Sequence, residues 1–234
     1  MRYGSVCSGI EAATVAWKPL GWEARWFSEI EKFPSALLQH YYPDVPNLGD
    51  MTKIHECDEF RKRPIDLLVG GTPCQSFSYS GYRGGLADPR GNLAIVFCET
   101  AHRARARWVV WENVSGVFSS WGNVEGSDQG LGVWQTNAFD TILKRLNDRG
   151  YGVAWRVFNS QYFGVPQRRR RVYVVGYLGD WRPAAAVLFE RNCLSGNPAP
   201  GQEEKADIGG TIGCGSGSRG WCDDTERATF IPMI

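Results

Sequence analysis

The chain has 234 residues, 43% of them hydrophobic and 22% charged, with a formal net charge of +1. This is enough for one substantial core and a small appendage, and it excludes a polyanion partner recognised through bulk charge alone. No stretch approaches 18 consecutive apolar residues, and Met1 to Val6 lacks the apolar region of a signal peptide, so neither a membrane span nor secretion is indicated. The seven cysteines are odd in number and form no C-x-x-C pair, and His40, His55 and His102 are scattered. That spacing argues against a metal site, and a cytosolic chain of this size needs no disulfides.

In chain order, Tyr3 to Cys7 reads as a strand. Gly9 opens a helix with Ile10, Ala13, Trp17 and Leu20 on one face, stopped by Gly21. Trp22 to Ser28 reads as a second strand, and Glu31 to Tyr42 as a helix ended by Pro43. Ile65 to Val69 and Trp108 to Trp111 are continuous apolar strands, with a helix between them over Gly91 to Arg105. Thr136 is placed to cap a helix carrying Phe139, Ile142, Leu143 and Leu146, with Gly150 as its stop. Val153 to Phe158 and Arg171 to Tyr177 close the series as strands. The alternation predicts an α/β fold: a three-layer, doubly wound, mostly parallel sheet with helices on both faces. Ligands of such sheets bind at the carboxyl ends of the strands.

Ser115 to Val133 reads as a long loop, and beyond Trp181 the pattern decays. Six of the twelve residues from Gly209 to Gly220 are glycine. The expected division is a catalytic unit over 1–181 and a Gly-rich tail, or the start of a truncated recognition region, over 182–234.

Six stretches carry candidate chemistry. In "VCSGIEAA", residues 6 to 13, a strand runs through Ser8-Gly9 into a helix, offering backbone N–H groups to a carboxylate or phosphate; any βα turn can have the same composition. Glu29 in "FSEIEKF" is placed for ribose hydroxyls. Asp50 in "LGDMT" suits either an exocyclic amine or a helix cap. Cys74 in "GGTPCQSFS" can be read as a buried filler, a metal ligand or a nucleophile. The loop after it brings Arg83 and Arg90 on a glycine-rich segment able to close over a polyanion. "WENV" ends a buried strand with Glu112-Asn113, an acid or base candidate that could equally be a cap or a surface charge. In "VPQRRRRVYVVG" a strand would send Arg169 and Arg171 to one side and Arg168 and Arg170 to the other.

Together these stretches resemble the cytosine-C5 DNA methyltransferase family over residues 3 to 178. "VCSGIEAA" resembles its first cofactor motif, "TPCQSFSYSG" its Pro-Cys motif, and "DPRGNL" the one after it. "WENV" and "QRRRR" are similar to its Glu-Asn-Val and Gln-x-Arg-x-Arg motifs, the latter as Gln167, Arg169 and Arg171. The resemblance implies S-adenosylmethionine as cofactor, double-stranded DNA as partner, and a flipped cytosine as substrate. Cys74 would be the nucleophile, Glu112 would hold the base, Arg169 its ring oxygen, and Asn113 would fix Glu112 and the neighbouring loop. Cys7, Ser8, Gly9 and Ile10 would approach the cofactor's methionine part, Glu29 the ribose and Asp50 the adenine amine. Ile30 and Met51 would give the adenine apolar contacts, with Pro73 and Leu93 nearby. Ser80, Arg83, Arg90 and Arg168 would touch DNA.

The chain departs from the family pattern at Cys7, where Phe is common, and at Glu11, which replaces the second motif glycine. Residues 182–234 show neither a target-recognition domain nor the last two motifs. A catalytic half is therefore expected, bacterial or phage-encoded and cytoplasmic, either truncated or completed by a second polypeptide. A non-catalytic relative and a tRNA cytosine methyltransferase are the alternatives.

Overall fold

The computed structural model describes residues 1–73, 93–119, 121–124, 134–164 and 166–189. Cys74, Ser80, Arg83 and Arg90 lie outside the described residues, as does the segment 190–234. The elements are β1 (Arg2–Val6), α1 (Ala12–Trp17), β2 (Glu23–Ser28), α2 (Lys32–Tyr41), α3 (Asp58–Lys62), β3 (Leu67–Gly70), α4 (Leu93–Arg103) and β4 (Trp108–Val114). They continue with β5 (Trp121–Val124), β6 (Trp134–Asn137), α5 (Ala138–Asn147), β7 (Tyr151–Asn159), β8 (Arg170–Leu178) and α6 (Arg182–Leu188).

Six strands form one sheet in the order β2-β1-β3-β4-β8-β7. Strands β1 to β4 pair in parallel, and β8 is antiparallel to both of its neighbours. Alternate residues of each strand feed opposite faces. On one face Val6, Trp26, Leu68, Val109, Trp111, Val172 and Val174 pack with Phe60 of α3, Phe97 of α4 and Ile142 of α5. On the other face the Tyr3 ring meets Trp17 of α1, Phe27 meets Tyr42 just after α2, and Ala154 and Val175 meet Ala184 and Leu188 of α6. The three-layer, mostly parallel α/β architecture expected from the alternation is the one observed.

Four local expectations change. Helix α1 starts only at Ala12, and Pro19 turns its end into a 3-10 turn over Lys18–Leu20, so Ile10 and Leu20 are exposed rather than on a buried face. The cap of α5 is Asn137, whose side chain accepts from the Phe139 N–H; Thr136 belongs to β6. Part of the stretch read as a loop after Ser115 is strand β5, which pairs antiparallel with β6. Beyond Trp181 the chain forms α6, carrying Pro183 in its first turn and packing against β7 and β8 through Ala184 and Leu188.

Among the described residues no helix is long and apolar enough to cross a membrane.

Candidate active site

Strands β1, β2, β3 and β4 run in one direction, so Val6, Ser28, Gly70 and Val114 end at one edge of the sheet. Strand β8 runs the other way and therefore starts at that edge: Arg171 pairs with Val114, Val172 with Asn113, and Tyr173 with Glu112. Residues from five separate stretches thus meet at one rim.

The β1–β2 part of the rim is held by backbone donors. Ser8 pins the end of β1 to β2: its N–H donates to the Ser28 carbonyl at 3.2 Å, and its hydroxyl accepts from the Ser28 N–H at 3.2 Å. Glu29 Oε2 accepts from the Gly9 N–H at 2.7 Å, and Oε1 accepts from the N–H groups of Ile30 and Glu31, each at 2.9 Å. Asn47 accepts from the Glu29 N–H and donates to its carbonyl. Cys7, Gly9 and Glu11 all have left-handed backbones, with φ of +49°, +55° and +62°. A Cβ built on Gly9 would meet nothing within 4 Å, so open space lies above the loop.

Beside this loop, Ile10 and Ile30 are 62% and 69% exposed, unusual for isoleucines at a strand edge. Cys7 half-buries its thiol against the Met51 sulfur at 3.5 Å, and Met51 is itself buried. Burial, then the nearby carboxylates of Glu29 and Asp50, pushes the Cys7 thiol up to about 12. Cys7 is therefore a neutral lining group and no nucleophile at ordinary pH. Asp50 is exposed and accepts from the N–H and hydroxyl of Thr52, which lowers its pKa. Two carboxylates and an open glycine at this edge have the donor–acceptor chemistry that the hydroxyls and amine of a nucleoside cofactor need.

The β3–β4–β8 part is held by side chains. Glu112 Oε1 lies 3.0 Å from Arg171 Nε and 3.9 Å from Arg169. Tyr173 flanks the pair, its pKa raised first by burial and then by the Glu112 charge. Asn113, 5% exposed, donates to the Thr72 carbonyl at 2.9 Å and accepts from the Val114 N–H at 2.8 Å. The Trp111 indole N–H donates to the Thr72 hydroxyl at 3.0 Å. A Cβ on Gly71 would come within 2.9 Å of Glu112 Oε2, so a side chain there would push this carboxylate from its place. The loop is thereby fixed as far as Pro73, which is exposed.

Of the other residues singled out in the sequence, Leu93 opens α4 and packs against the core. The Gln167 carbonyl accepts from the Ser160 hydroxyl at 2.7 Å, and Arg168 is exposed. Gly71, Thr72, Asn47 and Tyr173 shape the rim without being singled out by the sequence reasoning. A polar residue between a buried strand and the Pro-Cys pair is the signal for Thr72; the others have none outside the fold. Among the described residues no group of three or more His, Cys, Asp or Glu side chains is placed to hold a metal ion.

The family model for C-5 cytosine-specific DNA methylases matches residues 1–209. A DNA N-6-adenine-methyltransferase of Escherichia phage P1 is 40% identical over 257 aligned residues, covering 93% of this chain and 34% of that protein. The orphan methyltransferase M.Rho11sI of Bacillus phage rho11s is 35% identical over 184 residues, 77% of this chain and 33% of its own. The chain thus spans about a third of the length of these curated relatives. The solved structure of DNMT2 from Spodoptera frugiperda superposes with a TM-score of 0.60 at 18% identity, over 76% of this chain and 50% of that one. That likeness speaks for the fold, and the family match extends through every strand of the rim. The chain belongs to the C-5 cytosine-specific DNA methylase family.

Proposed function

We propose that residues 1–181, with α6 packed against them, form the catalytic unit of a DNA cytosine-C5 methyltransferase with Cys74 as its nucleophile. The observation that carries this reading is the Glu112–Arg171 pair at 3.0 Å beside a β3 loop clamped at Thr72 by Asn113 at 2.9 Å, two positions before Cys74 in the sequence. C5 of cytosine is a poor nucleophile until C6 is attacked. Addition of the Cys74 thiolate to C6 forms an S–C bond and pushes the 5,6 electron pair toward C5. Glu112 holds a proton at N3 and accepts from the exocyclic amine, favouring that electron flow. Arg171 orients Glu112, which leaves the more exposed Arg169 to reach the ring oxygen. Loss of the C5 proton to a base then restores the double bond and expels Cys74.

S-adenosylmethionine, when bound, supplies a methyl group on a positively charged sulfur, the electrophile such a carbon needs. Cys7, Ser8, Gly9 and Ile10 would hold its methionine end, Glu29 the ribose, Asp50 the adenine amine, and Ile30, Met51, Pro73 and Leu93 its apolar surroundings. Ser80, Arg83, Arg90 and Arg168 would contact DNA. Phosphate contacts position a protein without reading sequence, so binding by this chain should be salt-sensitive and vary little with sequence.

The test is a duplex containing 5-fluorocytosine, incubated with protein and S-adenosylmethionine. A covalent adduct is expected, because fluorine cannot leave as a proton does; its absence would overturn the assignment. Turnover by the chain alone, against turnover only with a second polypeptide, shows whether the unit is self-sufficient. A second reading, amine methylation, is favoured by the name of the phage P1 relative. An exocyclic amine needs no thiol adduct, and only a third of that protein is matched. Nucleoside analysis separates 5-methylcytosine from N6-methyladenine.

A further inference from the structure

Glu11 follows directly on the Cys7–Ile10 loop, and its left-handed backbone is one that L residues other than glycine rarely adopt. The side chain there is nevertheless 1% exposed. The N–H and hydroxyl of Thr14 both donate to its Oε1 at 3.2 Å, and the Tyr3 hydroxyl lies 2.6 Å from Thr14 Oγ1. Its Oε2 is buried and has no hydrogen-bond partner. The groups that face the carboxyl are Tyr3 and Ser5 on β1, Thr14 on α1 and Tyr42 after α2; none is a cation.

An ionised carboxylate here would carry its charge away from water, with no cation beside it and with Oε2 left without a hydrogen-bond partner. A protonated acid has no such fault. Oε1 keeps both donors, and a proton on Oε2 removes the buried charge; the buried Ser5 hydroxyl, which favours the ionised form, is outweighed by burial. Burial accordingly raises the Glu11 pKa. The Glu11 N–H also donates to the Ser8 carbonyl at 2.9 Å, so this residue closes the turn that presents the Gly9 N–H to Glu29.

We propose that Glu11 is kept as a neutral carboxylic acid and is the positioning residue that locks the Cys7–Ile10 loop in its binding shape, so that affinity for S-adenosylmethionine falls when Glu11 ionises. This rests on the methyl-donor reading above. Nuclear magnetic resonance of the full chain with carboxyl-labelled glutamate, the Glu11 signal assigned by its loss in Glu11→Gln, gives the charge directly. Glu11 should remain neutral at pH values where exposed glutamates are ionised. Calorimetry with S-adenosylmethionine should show affinity falling up to about tenfold per pH unit above the acid's own pKa. Glu11→Gln, neutral at every pH, should bind like the wild type at low pH and show no such fall. Glu11→Gly relieves the backbone and should fold, yet bind weakly throughout. A Glu11 signal that titrates with the exposed glutamates, or a Glu11→Gln profile that follows the wild type, would overturn the proposal. Absence of binding by both proteins at every pH would instead overturn the methyl-donor reading. The titration, with amide-exchange protection of Gly9 and Glu11 in wild type against Glu11→Gln, would then still decide the neutral acid and the loop lock.

Discussion

Around Gly9 and Glu29 the rim is held by backbone N–H groups that converge on one carboxylate, all from residues close in sequence to β1 and β2. Around Glu112 it is held by side chains from three strands, with Arg171 arriving from 59 positions further along the chain through the antiparallel β8. The first arrangement is a cradle of fixed dipoles around one carboxylate. The second is a charge pair with anchored neighbours, suited to holding a proton while a ring changes its bonding. The two therefore differ in what a single substitution should do: binding fails at the first and turnover at the second.

The largest effect expected is at the second. Cys74→Ser should abolish both turnover and the 5-fluorocytosine adduct while leaving S-adenosylmethionine binding intact, as read by gel shift and calorimetry. An adduct that persists in this variant would sink the assignment of the nucleophile. Glu112→Gln keeps the shape and removes the charge, and a fall in turnover of about 10²–10⁴-fold is expected from the loss of acid–base assistance. Cofactor affinity should not move. If affinity fell as far as turnover did, the division of the rim into a binding part and a chemical part would be wrong.

The same division explains what is legible in the sequence. Glu29 and the Ser8-Gly9 turn sit directly after the first two stretches read as strands, so local patterning alone is enough to place them on the rim. The apolar run from Trp108 predicts a strand ending at Trp111, whereas the strand continues through Glu112 and Asn113, because β8 pairs with β4 as far as Val114. Nothing local announces that pairing. The Gly71 contact with Glu112 and the Asn113 clamp on Thr72 are likewise products of register between strands distant in sequence. Helix α6 is hidden because seven residues, three of them consecutive alanines, give little periodic signal.

At the first part of the rim the expected effects are smaller. Glu29→Ala removes a carboxylate that accepts three N–H groups at the strand edge proposed to bind the cofactor. Loss of a hydrogen bond to a charged group typically costs about 1.5–3 kcal/mol, so S-adenosylmethionine should bind roughly tenfold or more weakly. Turnover at saturating cofactor should change far less. An unchanged dissociation constant would reject the cofactor map and leave Glu29 as a loop brace alone.

The smallest effect is expected at Cys7, and it sharpens the contrast between two cysteines. With its pKa pushed up to about 12 by burial and by Glu29 and Asp50, Cys7 at pH 8 should be thiolate in only about one molecule in ten thousand. Iodoacetamide at that pH, followed by peptide mapping, should leave Cys7 unmodified in the folded chain. The sign follows from the shift: raising pH toward 12 increases labelling, and lowering pH from 8 makes no visible difference. Cys7→Ser, which keeps the size and removes the soft sulfur contact with Met51, should change cofactor affinity by no more than about twofold, since such sulfur contacts are weak. Rapid labelling of Cys7 at pH 8, or loss of turnover in Cys7→Ser with the cofactor still bound, would make Cys7 a participant in the chemistry and erase the distinction between a pocket that binds and a pair that reacts.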